Sequence, residues 1–196
     1  NVIVPGWVAR NSLTYEFSPI FEDYVRVYHI AGSTPKGFFG GCWIDKAGKI
    51  VGVQSGMMTL GDALQGLAFV APPDSIKRLL TYKKSASTSS IQCVIEELWE
   101  QSPKFIKRFS ENSKGVVVVK ITKDGVSEKA GLKKDDLIIS INNKEVQKRD
   151  EFYAILRSIK KGEMATLEVI SPDKPEKKTV TVQVQSLEEI NKMDLF

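Results

Sequence analysis

Hydrophobic and polar positions fall into two unlike regimes along these 196 residues, separated by a polar stretch. Up to about residue 71, short apolar runs rich in β-branched and aromatic residues alternate with turn signals, which is the pattern of strands. The runs are residues 2–8, Tyr24 to Ile30, Cys42 to Ile44, Ile50 to Val53 and Leu67 to Val70. Asp45-Lys46-Ala47-Gly48 reads as a hairpin turn, with Gly48 free to take positive φ. A helical period first appears at Ile76, Leu79 and Leu80, where a short helix is expected with Asp74 or Ser75 as its cap. The first regime is therefore expected to be all-β.

Residues 83–90, Lys83-Lys84-Ser85-Ala86-Ser87-Thr88-Ser89-Ser90, have the composition of a linker. Beyond them the period changes. Val116 to Ile121 is an apolar run suited to a buried strand, and Leu137 to Asn142 predicts another that turns at Asn142-Asn143. Phe152, Ile155, Leu156 and Ile159 recur at helical spacing after Asp150, the expected cap, and Gly162 follows the end. Ala165 to Ile170 and Thr179 to Val184 predict a closing hairpin. This is a small α+β unit of roughly 100 residues, a normal size for an independent domain. The expected division is 1–82, a linker at 83–90, a second domain at 91–187 and a tail at 188–196, with no internal repeat.

Composition narrows the function classes. Hydrophobic residues make up 42% and charged residues 27%, an ordinary globular balance that excludes a disordered tail, a collagen-like rod and a disulfide-dense mini-protein. Lys and Arg number 28 against 24 Asp and Glu, a net charge of +4, too small for a nucleic-acid footprint. No apolar run approaches the roughly 18–20 residues that span a bilayer. One histidine, His29, and two cysteines, Cys42 and Cys93, cannot build a structural zinc site, so no metal or cofactor is expected. Both cysteines are expected as free thiols, and His29 as a half-buried strand residue. Glu96, Glu97 and Glu100 read as a solvated face. The start at Asn1, without Met or a signal-like leader, reads as a processed or truncated piece.

Two resemblances carry the functional reading. Gly115-Val116-Val117-Val118, then Ser127-Glu128-Lys129-Ala130-Gly131-Leu132-Lys133-Lys134-Asp135-Asp136-Leu137-Ile138, resembles the PDZ pattern, with Asp135 in place of the usual Gly before Asp136. The likeness runs over residues 91–186. It implies a sheet edge beside a helix, to which an extended peptide adds as a strand. In the permuted PDZ type of bacterial proteases, the carboxylate-capturing loop reads aromatic-Leu-Gly-Val, which falls by position on Ile91-Gln92-Cys93-Val94. That places Cys93 at the Gly position. Phe152, Ile155 and Ile159 either line the groove or serve as plain core, and the sequence leaves both readings open.

Gly32-Ser33-Thr34-Pro35-Lys36-Gly37-Phe38-Phe39-Gly40-Gly41-Cys42-Trp43-Ile44, followed by Asp45 to Val53, is similar to the nucleophile loop and hairpin of HtrA-type, trypsin-like serine proteases. Gly6-Trp7-Val8 and Gly66 to Pro72 agree with the family's flanking segments. At the nucleophile position stands Phe39, and the residue before it is Phe38. A phenyl ring has neither a proton for a general base nor a lone pair with which to attack a carbonyl. Gly37, Phe38 and Phe39 would form a vestigial oxyanion loop, its aromatics plugging the site. Ser33 lies six positions ahead of Phe39 with no reason to point into it.

The resemblance implies a mostly β chain: the carboxy-terminal part of a trypsin-like β-barrel followed by an α+β PDZ domain, the amino-terminal barrel being absent. The expected function is that of a catalytically inactive HtrA-like homologue, or pseudoprotease, that binds peptides or scaffolds proteins through its PDZ domain. The alternative is an active HtrA-type serine endopeptidase in protein quality control. Expected partners are a peptide or protein ligand, the missing barrel or a homologous subunit, with homo-oligomers open. No nucleic acid and no transmembrane segment are expected. Location in the periplasm, or export generally, follows from the resemblance alone.

Overall fold

The computed structural model describes residues 3–10, 12–18, 23–32, 34–35, 37–60, 63–83, 88–172, 174 and 176–187. Ser33, residues 84–87 of the 83–90 linker and the 188–196 tail, all singled out above, lie outside the described residues. Contacts divide the chain into two units, Asn1–Glu16 with Val25–Ala86, and Phe17–Tyr24 with Ser87–Phe196. Among the described residues no helix is long and apolar enough to cross a membrane.

The first unit is built on β1 (Trp7–Val8), β2 (Thr14–Ser18), β3 (Asp23–Ala31), β4 (Cys42–Ile44), β5 (Ile50–Leu60) and β6 (Ala63–Ala71), followed by α1 (Pro73–Tyr82), except that the end of β2 from Phe17 and the start of β3 through Tyr24 group with the second unit. The strands form one antiparallel sheet in the order β1-β3-β6-β5-β4, with β2 against β3. It curls like half of a trypsin-like barrel. Register shifts at Gln54/Gly56 and Met57/Thr59 break the β5–β6 ladder, and such bulges raise local twist. The small core follows from cross-strand pairing: Tyr28 faces Val70 and Ile30 faces Ala68. Ile30, Ala68 and Val70 are buried, with Trp43 packed against them. At Gly52 an added Cβ would lie 2.3 Å from Val70 Cγ1 and 2.6 Å from the Ala71 carbonyl oxygen, so only glycine fits.

Three expectations change here. Among the described residues of the 2–8 run, which begin at Ile3, only Trp7–Val8 is strand. β2 was not expected, and β5 continues past Val53 to Leu60, because bulges absorb the interruption at Gln54-Ser55-Gly56. α1 starts at Pro73 behind Pro72 and has no side-chain cap, so Asp74 and Ser75 sit in its first turn instead of before it.

The second unit contains β7 (Ser89–Ser90), β8 (Cys93–Glu97), a 3-10 turn (Leu98–Glu100), α2 (Pro103–Ile106), β9 (Val116–Ile121), α3 (Val126–Lys129), β10 (Leu137–Ile141), β11 (Lys144–Glu145), α4 (Arg149–Leu156), β12 (Met164–Ile170), β13 (Lys177–Gln183) and β14 (Gln185–Ser186). The sheet order is β13-β12-β10-β9-β8, with β11 on β10, while β14 pairs with β7. Asn142 and Asn143 both take positive φ, 49° and 61°, as a tight two-residue turn requires. Asp135, where the PDZ pattern has Gly, is left-handed at φ 73°. Asp136 is buried and ties the unit together, accepting from Ser171 Oγ (2.6 Å), Lys178 Nζ (2.8 Å) and the Lys133 amide (2.9 Å).

α4 begins one residue before Asp150, which is not its cap. Glu151 does that work, its carboxylate accepting the Gln147 amide at 2.8 Å and the Lys148 amide at 3.2 Å. Glu97 is buried within β8 and is no part of a solvated face.

Candidate functional site: a nucleophile-like loop and a peptide groove

In the first unit, the loop between β3 and β4 is shaped by one buried amide that sequence inspection passes over. Gln54 Nε2 donates to Thr34 Oγ1 (3.2 Å) and to the Gly56 carbonyl (2.8 Å), and its Oε1 accepts from Trp43 Nε1 (2.8 Å). Its backbone exchanges hydrogen bonds with the loop too, accepting from the Gly40 amide and donating to the Gly41 carbonyl, each at 2.9 Å. The turn closes when the Gly41 amide donates to the Phe38 carbonyl at 3.0 Å, and Gly37 and Gly40 take positive φ. A buried amide with its donors and acceptor satisfied holds one geometry firmly.

At the nucleophile-like position of that loop stands Phe39. Phe38 is half-buried and lines a cleft of about 550 Å³ with Pro5, Gly6, Trp7, Cys42 and Trp43. Phe39 does not join it: the ring is 57% exposed, so only one of the two aromatics stands in a position to plug the site. His29 sits half-buried in β3, its Nε2 2.8 Å from Glu16 Oε1. Among the described residues no group of three or more His, Cys, Asp or Glu is placed to hold a metal ion.

In the second unit, β8 ends the sheet order and packs beside α4, so the expected edge-and-helix groove has its two walls. Ile91, Cys93, Phe152 and Ile159 are buried, while Gln92, Val94 and Ile155 are half-buried. The left-handed residue of the loop is Gln92, with φ 59°, one position ahead of Cys93. A glycine-like conformation is thus called for at Gln92, and Cys93 lies in extended β8. The Gln92 amide donates to Ser90 Oγ (3.1 Å) and its side-chain oxygen accepts the Val126 amide (2.7 Å), which fixes the loop against α3. Burial first, then the nearby Asp23 carboxylate, pushes the Cys93 thiol up to about 12, against the opposing Ser127 hydrogen bond.

Sequence reasoning missed the polar side chains of this groove. Arg149, Tyr153 and Arg157 recur at four-residue spacing and so share one stripe of the helix and its last turn. Within the same unit they meet Asp23 and Tyr24. Arg157 Nη2 lies 2.7 Å from the Tyr24 carbonyl oxygen and 3.2 Å from Asp23 Oδ1. The Arg149 guanidinium stands over the Tyr24 ring at 4.7 Å, and the Tyr153 ring is 4.9 Å from it. Burial raises the Tyr24 hydroxyl above its ordinary range, with Arg149 pulling the other way, and raises Tyr153 further. Glu97 is also raised by burial, although its Oε1 accepts the Arg149 amide at 3.0 Å. The four-residue spacing was the one signal available in the sequence. The partners lie more than a hundred residues upstream.

Three comparisons place this arrangement. A family model described as PDZ domain matches residues 107–185. A curated protein of Pseudomonas savastanoi pv. phaseolicola, named "Probable periplasmic serine endoprotease DegP-like", is 29% identical over 162 residues, covering 82% of this chain and 34% of its own length. A protein of the same name from Brucella suis biovar 1 is 27% identical over 165 residues, 83% of this chain and 31% of that one. The solved structure titled "HtrA-type protease AlgW with decapeptide" superposes with a TM-score of 0.61 at 17% identity, over 83% of this chain and 50% of that one. The chain thus spans about a third of the length of these curated relatives. Fold and groove define a mostly β, PDZ-containing protein. Residues 107–185 thus match a PDZ domain, and the chain is similar in sequence to curated proteins named as DegP-like serine endoproteases and in fold to an HtrA-type protease.

Proposed function

We propose that this chain is a catalytically inactive HtrA-type protein that binds peptide segments through the groove between β8 and α4. The observation that carries the reading is Phe39 at the nucleophile position of a loop whose backbone is otherwise held in shape by Gln54. Losing the nucleophile leaves only the weak residual catalysis of binding and oxyanion stabilisation. β8 supports the binding half of the proposal, because an edge strand offers unpaired backbone groups and α4 supplies a wall for side chains. The AlgW neighbour is titled as a complex with a decapeptide, which fits a peptide ligand here. The loop Ile91-Gln92-Cys93-Val94 and the side chains of Phe152, Ile155 and Ile159 are the proposed contact residues. The proposed domain division keeps the linker at 83–90. The relatives' names suggest the periplasm as the place of action.

Incubation with unfolded casein tests the catalytic half: no cleavage is expected, and no covalent adduct with a fluorophosphonate probe. Sustained cleavage that a serine-directed inhibitor blocks would establish the rival reading, an active endopeptidase of protein quality control.

A further inference from the structure

The α4 stripe is more selective than a generic peptide groove requires. Arg157 presents two terminal nitrogens. One, Nη2, reaches both Asp23 Oδ1 and the Tyr24 carbonyl oxygen; the other, Nη1, is buried without a hydrogen-bond partner among the described residues. A guanidinium fork fits both oxygens of a carboxylate at once, so Asp23 uses half of what Arg157 offers. Leaving a buried donor unmade is costly, which makes the present occupant a suboptimal one. Eight residues earlier, Arg149 covers one side of the Tyr24 ring and donates to its hydroxyl at 3.4 Å, and Tyr153 packs against the ring. This is a cation–π and aromatic slot.

Charge gives the stripe a direction. Glu100 Oε2 lies 3.9 Å from Arg149 Nη1, and Glu97 takes the Arg149 amide, so acidic groups already balance that end. A ligand carboxylate is repelled there and accepted at Arg157, whose one carboxylate contact among the described ion pairs is Asp23. Asp23 and Tyr24 are only 2% and 4% exposed, so the resident pair is desolvated and seated.

We infer that Arg149, Tyr153 and Arg157 form a receptor for an acidic residue followed by an aromatic one, and that the chain's own Asp23–Tyr24 is its resident, exchangeable occupant. This rests on the reading of the groove as a peptide site. An incoming peptide of the same acidic–aromatic type competes with the resident pair, and it gains by filling both nitrogens of Arg157. The groove is thereby held in check by a segment of the same chain, and ligands of other chemistry cannot exploit the fork.

Fluorescence polarisation on the full chain tests this with two labelled decapeptides that differ only in carrying Asp-Tyr or Ser-Ser at their centre. The D23S/Y24S variant is expected to bind the Asp-Tyr probe about tenfold more tightly than wild type, because the competitor is gone. Adding Arg157→Ala is expected to remove that gain, and Arg157→Lys to restore it in part, since a point charge replaces a fork. Equal affinity of wild type and D23S/Y24S for the Asp-Tyr probe overturns the resident occupant. Equal binding of both probes, untouched at Arg157, overturns the receptor while leaving a peptide groove standing. Binding of neither probe by either form takes down the groove reading itself, and the receptor with it. A thermal-melting cycle over Asp23→Ala and Arg157→Ala needs no ligand: strongly non-additive Tm shifts are expected, and additive ones overturn the seated contact.

Discussion

Two six-stranded sheets of one chain meet the problem of burial in opposite ways. In the second unit Ile95, Val118, Leu137, Ile138, Phe152 and Leu167 are almost wholly buried, and a further cluster of Leu98, Phe109 and Val117 packs with Phe105 and Ile106. In the first unit the comparable cluster is Ile30, Ala68 and Val70. Ile3, Trp7, Val8, Ile44, Leu60 and Leu80 are large apolar side chains left at least half exposed there. The second unit closes its own core, whereas the first holds its shape through backbone pairing and polar clamps such as Gln54. Their candidate sites differ accordingly. The first presents a loop pinned by Gln54 with Phe39 at its nucleophile-like position, and the second presents charges and rings arranged for recognition.

If the second unit is the self-sufficient one, truncating its core has the largest effect. Phe152→Ala is expected to cost about 3–5 kcal/mol, the range for a buried aromatic. Ile30→Ala in the first unit is expected at the lower end of the 2–5 kcal/mol range for aliphatic truncation, because less surrounds it. Urea titrations should show two transitions, each variant shifting its own. A single shared transition moved equally by both would break the comparison.

Gly52→Ala sharpens it from the other side. The added methyl would stand 2.3 Å from Val70 in a sheet whose core has few other members, so β5 and β6 must separate. The expected cost is about 2–3 kcal/mol, typical of overpacking, read as a lower midpoint of the first unit's transition.

The two cysteines probe the same contrast chemically. Cys42 is exposed in β4 and Cys93 is buried in β8. A disulfide reagent at pH 8 is expected to modify one thiol per native chain, and two after unfolding. The pH dependence has a definite sign. An unfolded thiol titrates near its ordinary value of 9.0, while folded Cys93 is pushed up to about 12. From pH 9 upward the unfolded state alone loses this proton, so stability falls, by about 1.4 kcal/mol per pH unit from this group, until the folded thiol also ionises. Cys93→Ala is expected to flatten that slope in the second unit's transition; an unchanged slope would show that the thiol is not the group responsible.

How much of this could be read beforehand depends on how local each determinant is. The hairpin at Gly48, the turn at Asn142-Asn143 and the strands β9, β10 and β12 are written in contiguous residues, and they fold as expected. β8 is not: Cys-Val-Ile-Glu-Glu shows no clear alternation, and its strand state comes from pairing with β9, Cys93 opposite Ile121. Glu97 looked solvated because the amide that satisfies it belongs to Arg149, 52 positions away. The groove's Arg157–Asp23 contact spans 134 positions, beyond any local pattern. Phe39 was legible because a motif fixes its place, but its exposure was not, since that depends on how Gln54 pins the turn.

The smallest effect comes from a position where a motif and a backbone angle agree. Asp135 stands where the PDZ pattern carries Gly, and its φ of 73° is left-handed. Aspartate tolerates that region better than most residues, yet still pays a steric cost that glycine avoids. Against this, glycine increases the freedom of the unfolded chain, which offsets part of the gain. Asp135→Gly is therefore expected to stabilise the second unit by only about 0.5 kcal/mol, read as a small rise in its denaturation midpoint with the first unit's unchanged. Asp135→Val should do the reverse and more strongly, because a β-branched side chain cannot enter the left-handed region without strain. If valine is tolerated as well as glycine, the turn before Asp136 is not held in the left-handed form, and the buried Asp136–Lys178 pair must be fixed by Ser171 and the Lys133 amide alone.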